Sequence, residues 1–128
     1  MAGRPSNASR GLGPLESKVM DAVWAATDPV SIREVVDVLN ERRAEPLAYT
    51  TVMTVMNRLT TKNVLRRHGA RRKYVYEATA ADAAGLAVRD VLRTYGDAAV
   101  AHFLDEARAD PDVLRRLRGL LEGTHETR

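Results

Sequence analysis

The chain has 128 residues, of which 45% are apolar and 29% are charged, and its net charge is +3. This length suits one ordinary domain, or a small domain with an appended oligomerisation element, and it excludes two large domains. The lack of cysteine excludes disulfides, thiol nucleophiles and thiolate metal sites, and no apolar run suits a signal peptide or a membrane span, so a cytoplasmic protein is expected.

The charge is unevenly distributed along the chain. Residues 1–78 contain thirteen Lys and Arg against eight Asp and Glu, a net +5, whereas residues 79–128 contain seven against nine, a net −2. Residues 46–76 include seven Lys and Arg and no acidic residue, which makes a local cationic surface. Such a surface is typical of nucleic-acid binding, although a solvated basic face has the same composition.

Two helices are predicted in the first third of the chain. Residues 1–11 are small, polar and rich in Gly, Pro and Ser, which predicts a flexible arm. Pro14 suits the first position of a helix over 14–26. Residues 27–30 form a turn or a very short strand, because the residue before Pro29 is excluded from the α region. Ser31 and Glu34 have the spacing of a capping box, which predicts a second helix over 32–43.

A third helix with two contrasting faces is predicted over 49–62. Val52, Val55, Met56 and Leu59 recur at helical spacing and form its core face. The opposite face carries hydroxyls, an amide and a guanidinium, and it has no carboxylate. Groups of this kind suit base edges and phosphates, so this segment is interpreted as a recognition helix that ends near Asn63.

A β-hairpin is predicted directly after the third helix. Short β-type runs over 64–68 and 73–76 flank the turn sequence Gly-Ala-Arg-Arg at 69–72. Three helices followed by a hairpin is the order of a winged helix-turn-helix domain, here over residues 12–78. Its wing, residues 64–77, has a basic tip that is placed to reach a phosphate backbone or a minor groove.

Three further amphipathic helices are predicted over 80–95, over 97–108 and from Pro111 onward, and residues 123–128 are expected to fray. The fold is therefore expected to be mainly α with a small β-hairpin. Helices this short cannot bury their apolar stripes alone, so residues 79–122 are interpreted as a helical dimerisation region. The residues assigned to this contact are Leu86, Val91, Leu92, Tyr95, Val100, Phe103, Leu104, Leu114, Leu117, Leu120 and Leu121.

The candidate DNA-binding residues form two groups. The candidates for base edges are Thr50, Thr51, Thr54 and Asn57. The candidates for phosphates are Tyr49, Arg58, Lys62, Arg66, Arg67, Arg71, Arg72 and Lys73. A solvated surface is the alternative for the polar helix face and for the basic hairpin, and ordinary packing is an equal alternative for Tyr49 and Tyr76.

An enzyme and a pure protein-interaction module are the competing classes of function. The chain has no GxGxxG, Walker-type, GxSxG or HExxH motif, so no catalytic residue is assigned. None of His68, His102 and His125 pairs with another at metal-ligand spacing, and no metal ion or cofactor is expected. The interaction module stays open, with the C-terminal helices as its functional surface.

The segment AYTTVMTVMNRL at 48–59, followed by a basic hairpin ending in Tyr-Val-Tyr, resembles the BlaI/MecI, or penicillinase repressor, family of winged-helix regulators. Leu15-Glu16, Val19-Met20 and the wing residues 72–76 extend the resemblance, which covers residues 12 to about 122. It implies a homodimeric repressor that binds a dyad-symmetric DNA operator and controls β-lactam-response or related genes. It also allows a membrane-bound sensor protease as a partner.

The chain departs from the family pattern at two places. The copper-responsive branch ends in a metal-binding cysteine cluster, and this chain has no Cys, so copper sensing is not supported. Members that are inactivated by proteolysis are cut at an Asn-Phe bond, which aligns with His102-Phe103 here. These two residues are the candidate position for proteolytic inactivation, although Phe103 also fits an apolar stripe, which favours its burial.

Overall fold

The computed structural model describes residues 11–126, which form six helices and two strands. The elements are α1 (Pro14–Ala25), α2 (Ile32–Asn40), α3 (Tyr49–Thr61), β1 (Leu65–His68), β2 (Val75–Ala78), α4 (Ala83–Tyr95), α5 (Asp97–Ala109) and α6 (Pro111–Glu126). The mainly helical fold with a small hairpin is confirmed. Residues 1–10, which make up most of the predicted arm, and residues 127 and 128 lie outside the described residues.

The first two helices begin at the predicted residues, Pro14 and Ile32. The Glu16 carboxylate accepts a 2.9 Å hydrogen bond from the Gly13 backbone N–H before α1. At α2 the Ser31 hydroxyl accepts from the Glu34 N–H at 3.1 Å, and the Glu34 carboxylate accepts from the Ser31 N–H at 2.8 Å. The α2 helix ends at Asn40 rather than 43, because the Asn40 amide bonds both the N–H and the carbonyl of Leu47 and closes the connection to α3.

The core of the N-terminal unit combines α1, α2, α3 and the hairpin. The core face predicted for α3 is fully buried, and so is the Tyr76 side chain, which is 1% exposed. Tyr76 therefore packs in the core and is not available to DNA. The main buried side chains are Val19, Met20, Val23, Ile32, Val35, Val36, Val52, Val55, Met56, Leu59, Val64, Leu65 and Tyr76.

The hairpin is antiparallel, with Leu65 opposite Ala78 and His68 opposite Val75. The second strand begins two residues later than predicted because residues 69–74 form a longer turn, in which Gly69 and Arg72 have positive φ values of 98° and 51°. Val30 pairs with Tyr76 through backbone hydrogen bonds of 2.9 and 2.7 Å, so of the two alternatives for residues 27–30, a turn or a very short strand, Val30 forms an isolated β-bridge after a bend at 27–28. The order of α1, α2, α3 and hairpin is that of a winged helix.

The assignment of Leu86 to a dimer contact is wrong. Leu86 lies in the first turn of α4, is 3% exposed and belongs to the N-terminal core. The Trp24 indole N–H donates a 2.9 Å hydrogen bond to the Ala80 carbonyl and anchors the segment before α4 to α1. The N-terminal unit consequently extends to Val88, not to the predicted boundary at 78, and a second unit begins at Arg89.

In the C-terminal unit, α5 and α6 pack against one another and bury Ala107. Most of the remaining predicted contact residues stay largely exposed, including Tyr95 at 65% and Leu120 at 70%. The position of Phe103 in the apolar stripe favoured its burial, but in the single chain its side chain is 53% exposed. Residues 123–126, part of the tail that was predicted to fray, belong to α6. Within residues 11–126, no helix is long and apolar enough to cross a membrane.

Candidate nucleic-acid interface

The exposed face of α3 carries all the residues predicted to read bases. At about 100° per residue, Thr50, Thr54 and Asn57 lie opposite the buried stripe, and Thr51 and Arg58 lie to one side of them. All five are exposed. Thr61 shares this face but was not among the candidates. The Thr60 hydroxyl, by contrast, donates to the Met56 carbonyl at 2.8 Å and is satisfied within the helix.

Lys62, at the end of α3, pairs with a buried carboxylate on α1. Its ammonium group lies 3.1 and 3.2 Å from the two carboxylate oxygens of Glu16, whose side chain is 6% exposed. Burial by itself raises the pKa of Glu16, but the Gly13 N–H and the Lys62 ammonium outweigh it and leave the pKa below its ordinary value. The pair joins the first turn of α1 to the end of the recognition helix, so Lys62 is less free for phosphate than the sequence suggested.

Replacing Glu16 with Gln is expected to lower the free energy of unfolding by about 1 kcal/mol at pH 7, since the partner Lys62 is partly solvated. A lowered pKa in the folded state means that the carboxylate stabilises the fold above its ordinary value of 4.5 and loses this effect as the pH falls through the folded pKa. The free energies of unfolding of the wild-type protein and of Glu16→Gln, measured with urea, should therefore become equal in acid. Glu41→Gln, at an exposed position, is the control. A difference in the free energy of unfolding between wild type and Glu16→Gln that is the same at pH 7 and in acid contradicts the assignment.

The wing divides its cations into two sets. Arg66 and His68 both contact the Glu77 carboxylate, at 3.1 and 2.7 Å, and the Arg67 guanidinium stacks 4.2 Å from the centre of the Tyr74 ring. The hydrogen bond from His68 is the main cause of the lowered pKa of Glu77, which the contact with Arg66 reinforces. These side chains already have partners within the hairpin.

The second set is at the tip of the wing. Arg71, Arg72 and Lys73 are exposed, and within residues 11–123, whose side chains the structure describes, none of them lies within ion-pair distance of a carboxylate. Three adjacent cations without a nearby acid produce a strong local positive potential. The geometry makes this tip the part of the wing best suited to a polyanion.

A cationic side chain that the sequence analysis did not single out lies beside the start of α3. The Arg33 guanidinium, from the first turn of α2, stacks 5.0 Å from the centre of the Tyr49 ring. Tyr49 is 40% exposed, so its ring is a surface feature that packs against Arg33. A partner sixteen residues away in a different helix leaves no short-range signal in the sequence.

Comparison with known proteins identifies the family. The model of the family described as "Penicillinase repressor" matches residues 12–123. The chain belongs to the penicillinase repressor family. Two proteins named "Transcriptional regulator BlaI", from Mycobacterium tuberculosis strains CDC 1551 / Oshkosh and ATCC 25618 / H37Rv, are each 41% identical to it over 126 residues, which cover 91% of this chain and 89% of theirs.

A solved structure gives a weaker match. It is the crystal structure of a MarR/EmrR family transcriptional regulator from Acinetobacter sp. ADP1, with a TM-score of 0.46 and 20% identity over 93% of this chain and 80% of that chain. The family match by itself confirms the resemblance derived from the α3 and wing sequences. The penicillinase repressor family consists of transcriptional regulators and not of enzymes, which removes the enzyme alternative.

His102 and Phe103 belong to the segment that the family model matches, and they lie in the middle of α5. Both residues are exposed in the single chain. Their peptide bond is nevertheless part of a regular helix, and a protease needs an extended backbone, so cleavage there requires α5 to open locally. A dimer contact through Phe103 would also cover the bond that the protease must reach. The two assignments of this segment, dimer contact and cleavage position, are therefore in competition.

Proposed function

We propose that the protein is a homodimeric transcriptional repressor that binds a dyad-symmetric DNA operator through α3 and the wing. The observation that carries the proposal is the exposed, carboxylate-free face of α3, which precedes the exposed cations of the wing tip in the same unit. Such a helix can enter a major groove while a basic wing holds the flanking backbone. Family membership supports the same reading.

The roles within this surface follow from side-chain chemistry. Hydroxyl and amide groups exchange hydrogen bonds with base edges, so the base contacts are assigned to Thr50, Thr51, Thr54 and Asn57. Guanidinium and ammonium groups that form no ion pair among the described residues are assigned to phosphates, and these are Arg58, Arg71, Arg72 and Lys73. Lys62, Arg66 and Arg67 must share or release a partner to reach DNA, so smaller contributions are assigned to them.

Homodimerisation is assigned to the C-terminal unit. Its helices leave large apolar side chains exposed, and a second copy of the same unit can cover them. The residues proposed for this contact are Val91, Leu92, Tyr95, Val100, Phe103, Leu104, Leu114, Leu117, Leu120 and Leu121. Two winged helices in one dimer then read two half-sites related by a dyad.

Regulation is proposed from the family resemblance, and this chain has His102 where the cleaved members have Asn. The regulated genes are proposed to belong to a β-lactam response, and a membrane-bound sensor protease to cut the chain between His102 and Phe103. Mass spectrometry of the repressor, recovered from cells treated with a β-lactam, should find fragments that end at His102 and begin at Phe103. Recovery of the intact chain while the regulated genes are expressed contradicts inactivation by proteolysis.

DNA binding is tested by fluorescence anisotropy on labelled duplexes. Random duplexes selected by the purified protein give the half-site and its spacing, and affinities are then measured against salt for the selected operator and for an unrelated duplex. The logarithm of the association constant should fall steeply and linearly with the logarithm of the salt concentration. A lack of salt-sensitive binding near neutral pH refutes the proposal and leaves the protein-interaction module.

Asn57→Ala separates base reading from phosphate contact. A bidentate amide contact to a base contributes about 1–3 kcal/mol of discrimination, so the substitution should reduce operator affinity by about 10-fold or more and leave the affinity for unrelated duplex unchanged. Arg58→Ala is the matched comparison from the same helix, and it should reduce the affinity for the operator and for the unrelated duplex by the same factor. Equal losses for Asn57→Ala on both duplexes contradict its role in base reading.

A further inference from the structure

A concavity of about 320 Å³ lies between α2, the start of α3 and the turn of the wing. Its lining consists of Ser31, Ile32, Arg33, Tyr49, Arg72 and Tyr74. Two guanidinium groups and two aromatic rings thus converge on one depression next to the face of α3 that is proposed to bind DNA. Of the six lining residues only Arg72 belongs to the base-reading and wing-tip groups described above, so those groups do not account for the whole arrangement.

The two arginines of the concavity are cationic groups without acidic partners. Within the described residues, neither Arg33 nor Arg72 is within ion-pair distance of a carboxylate. The nearest acid in sequence to Arg33 is Glu34, whose carboxylate accepts the Ser31 N–H at 2.8 Å as part of the α2 cap. The concavity is therefore electropositive, and the chemistry that suits it is that of an anion with several oxygens.

Tyr49 gives Arg33 a defined position. The guanidinium lies 5.0 Å from the centre of the Tyr49 ring, a distance at which cation–π attraction operates. A guanidinium stacked on a ring presents its N–H groups from the edge of the plane, the direction in which it donates two parallel hydrogen bonds to phosphate. Because the stacking already restricts the Arg33 side chain, this side chain loses less conformational freedom when it binds. The stacking therefore favours a well-ordered contact.

We propose that Arg33 and Arg72 together bind backbone phosphate of the DNA flanking the major groove, and that Tyr49 acts as the positioning residue for Arg33. This inference rests on the proposed DNA-binding function and adds α2 to the surface that α3 and the wing provide. It also changes the role of Tyr49 from a direct phosphate contact to a support for one. The concavity then receives sugar-phosphate backbone between the recognition helix and the wing.

The test is a salt titration of duplex binding with full-length variants whose folding is checked by circular dichroism. Arg33→Gln should weaken binding to operator and to unrelated duplex alike by about 10-fold, and flatten the salt slope by about 0.9 for each bound protomer. Arg42→Gln removes the same charge from an exposed position after α2 and is the control. Wild-type affinity and slope for Arg33→Gln, with Arg58→Ala still weakening both duplexes, overturn this inference and leave the DNA-binding function in place.

Two substitutions at Tyr49 test its positioning role. Tyr49→Phe keeps the ring and should bind as the wild type does, whereas Tyr49→Leu removes the ring and should reproduce much of the Arg33→Gln defect, including the flatter salt slope. If Tyr49→Phe weakens binding as much as Tyr49→Leu, the hydroxyl contacts DNA directly and the positioning role is wrong. If the wild-type protein shows no salt-dependent binding, it is the proposed function itself that fails.

Discussion

If the protein is the homodimer proposed above, Leu120→Glu is expected to convert it into monomers and to weaken operator binding by at least about 100-fold. Leu120 is 70% exposed in α6, so a carboxylate there leaves the folded chain intact, but in the proposed dimer the same carboxylate becomes buried without a partner. Such burial costs several kcal/mol, and the loss of the second half-site removes an avidity of about 10²–10⁴. Analytical ultracentrifugation and operator binding at nanomolar protein concentration measure the two effects.

Arg115→Ala is the matched control for Leu120→Glu. It changes the net charge by the same amount, and Arg115 lies on the polar side of α6, where it makes an exposed 2.9 Å ion pair with Asp112. Exposed pairs of this type contribute little to stability, so this variant should remain dimeric and bind the operator normally. A Leu120→Glu variant that remains dimeric places the interface away from the exposed face of α6.

Local sequence signals predicted most of the winged helix because the relevant interactions are close in sequence. The capping box of α2 uses residues three positions apart, and the core face of α3 follows from apolar residues at helical spacing. Left-handed Asn63, with a φ of 65°, ends α3 as expected. The polar face of α3 was equally visible, since its lack of carboxylates is a property of thirteen consecutive residues.

The errors and omissions that affect the assigned sites involve contacts between distant residues. Leu86 fits the apolar stripe of α4, but the fold places it in the core of the winged helix. Lys62 and Glu16 are 46 positions apart. Arg66 contacts Glu77 because the hairpin register places them opposite each other, and Glu77 is the first residue after the acid-free segment 46–76. Composition gives the number of cations in a segment, but only the tertiary structure shows which of them have internal partners.

The wing tip is expected to supply the largest single share of the electrostatic affinity. Replacing Arg71, Arg72 and Lys73 with Gln, Asn and Gln should reduce affinity about a thousandfold at low salt for operator and unrelated duplex alike. Asn is chosen at position 72 because Arg72 has a φ of 51°, which Asn tolerates better than most residues. Three lost phosphate contacts in each protomer should make the salt slope of the dimer less steep by about 5.

Two control variants separate contact from overall charge. Lys18, Arg42 and Arg43 line a groove between α1 and the end of α2, and replacing all three with Gln removes the same charge from a different surface. This variant should keep most of its affinity and its salt slope, because released counterions are those at phosphates that the protein touches. Arg66→Gln should have a smaller effect than any tip substitution, since Arg66 is already paired with Glu77. Equal losses for the tip and groove variants mean that net charge, rather than the wing tip, determines binding.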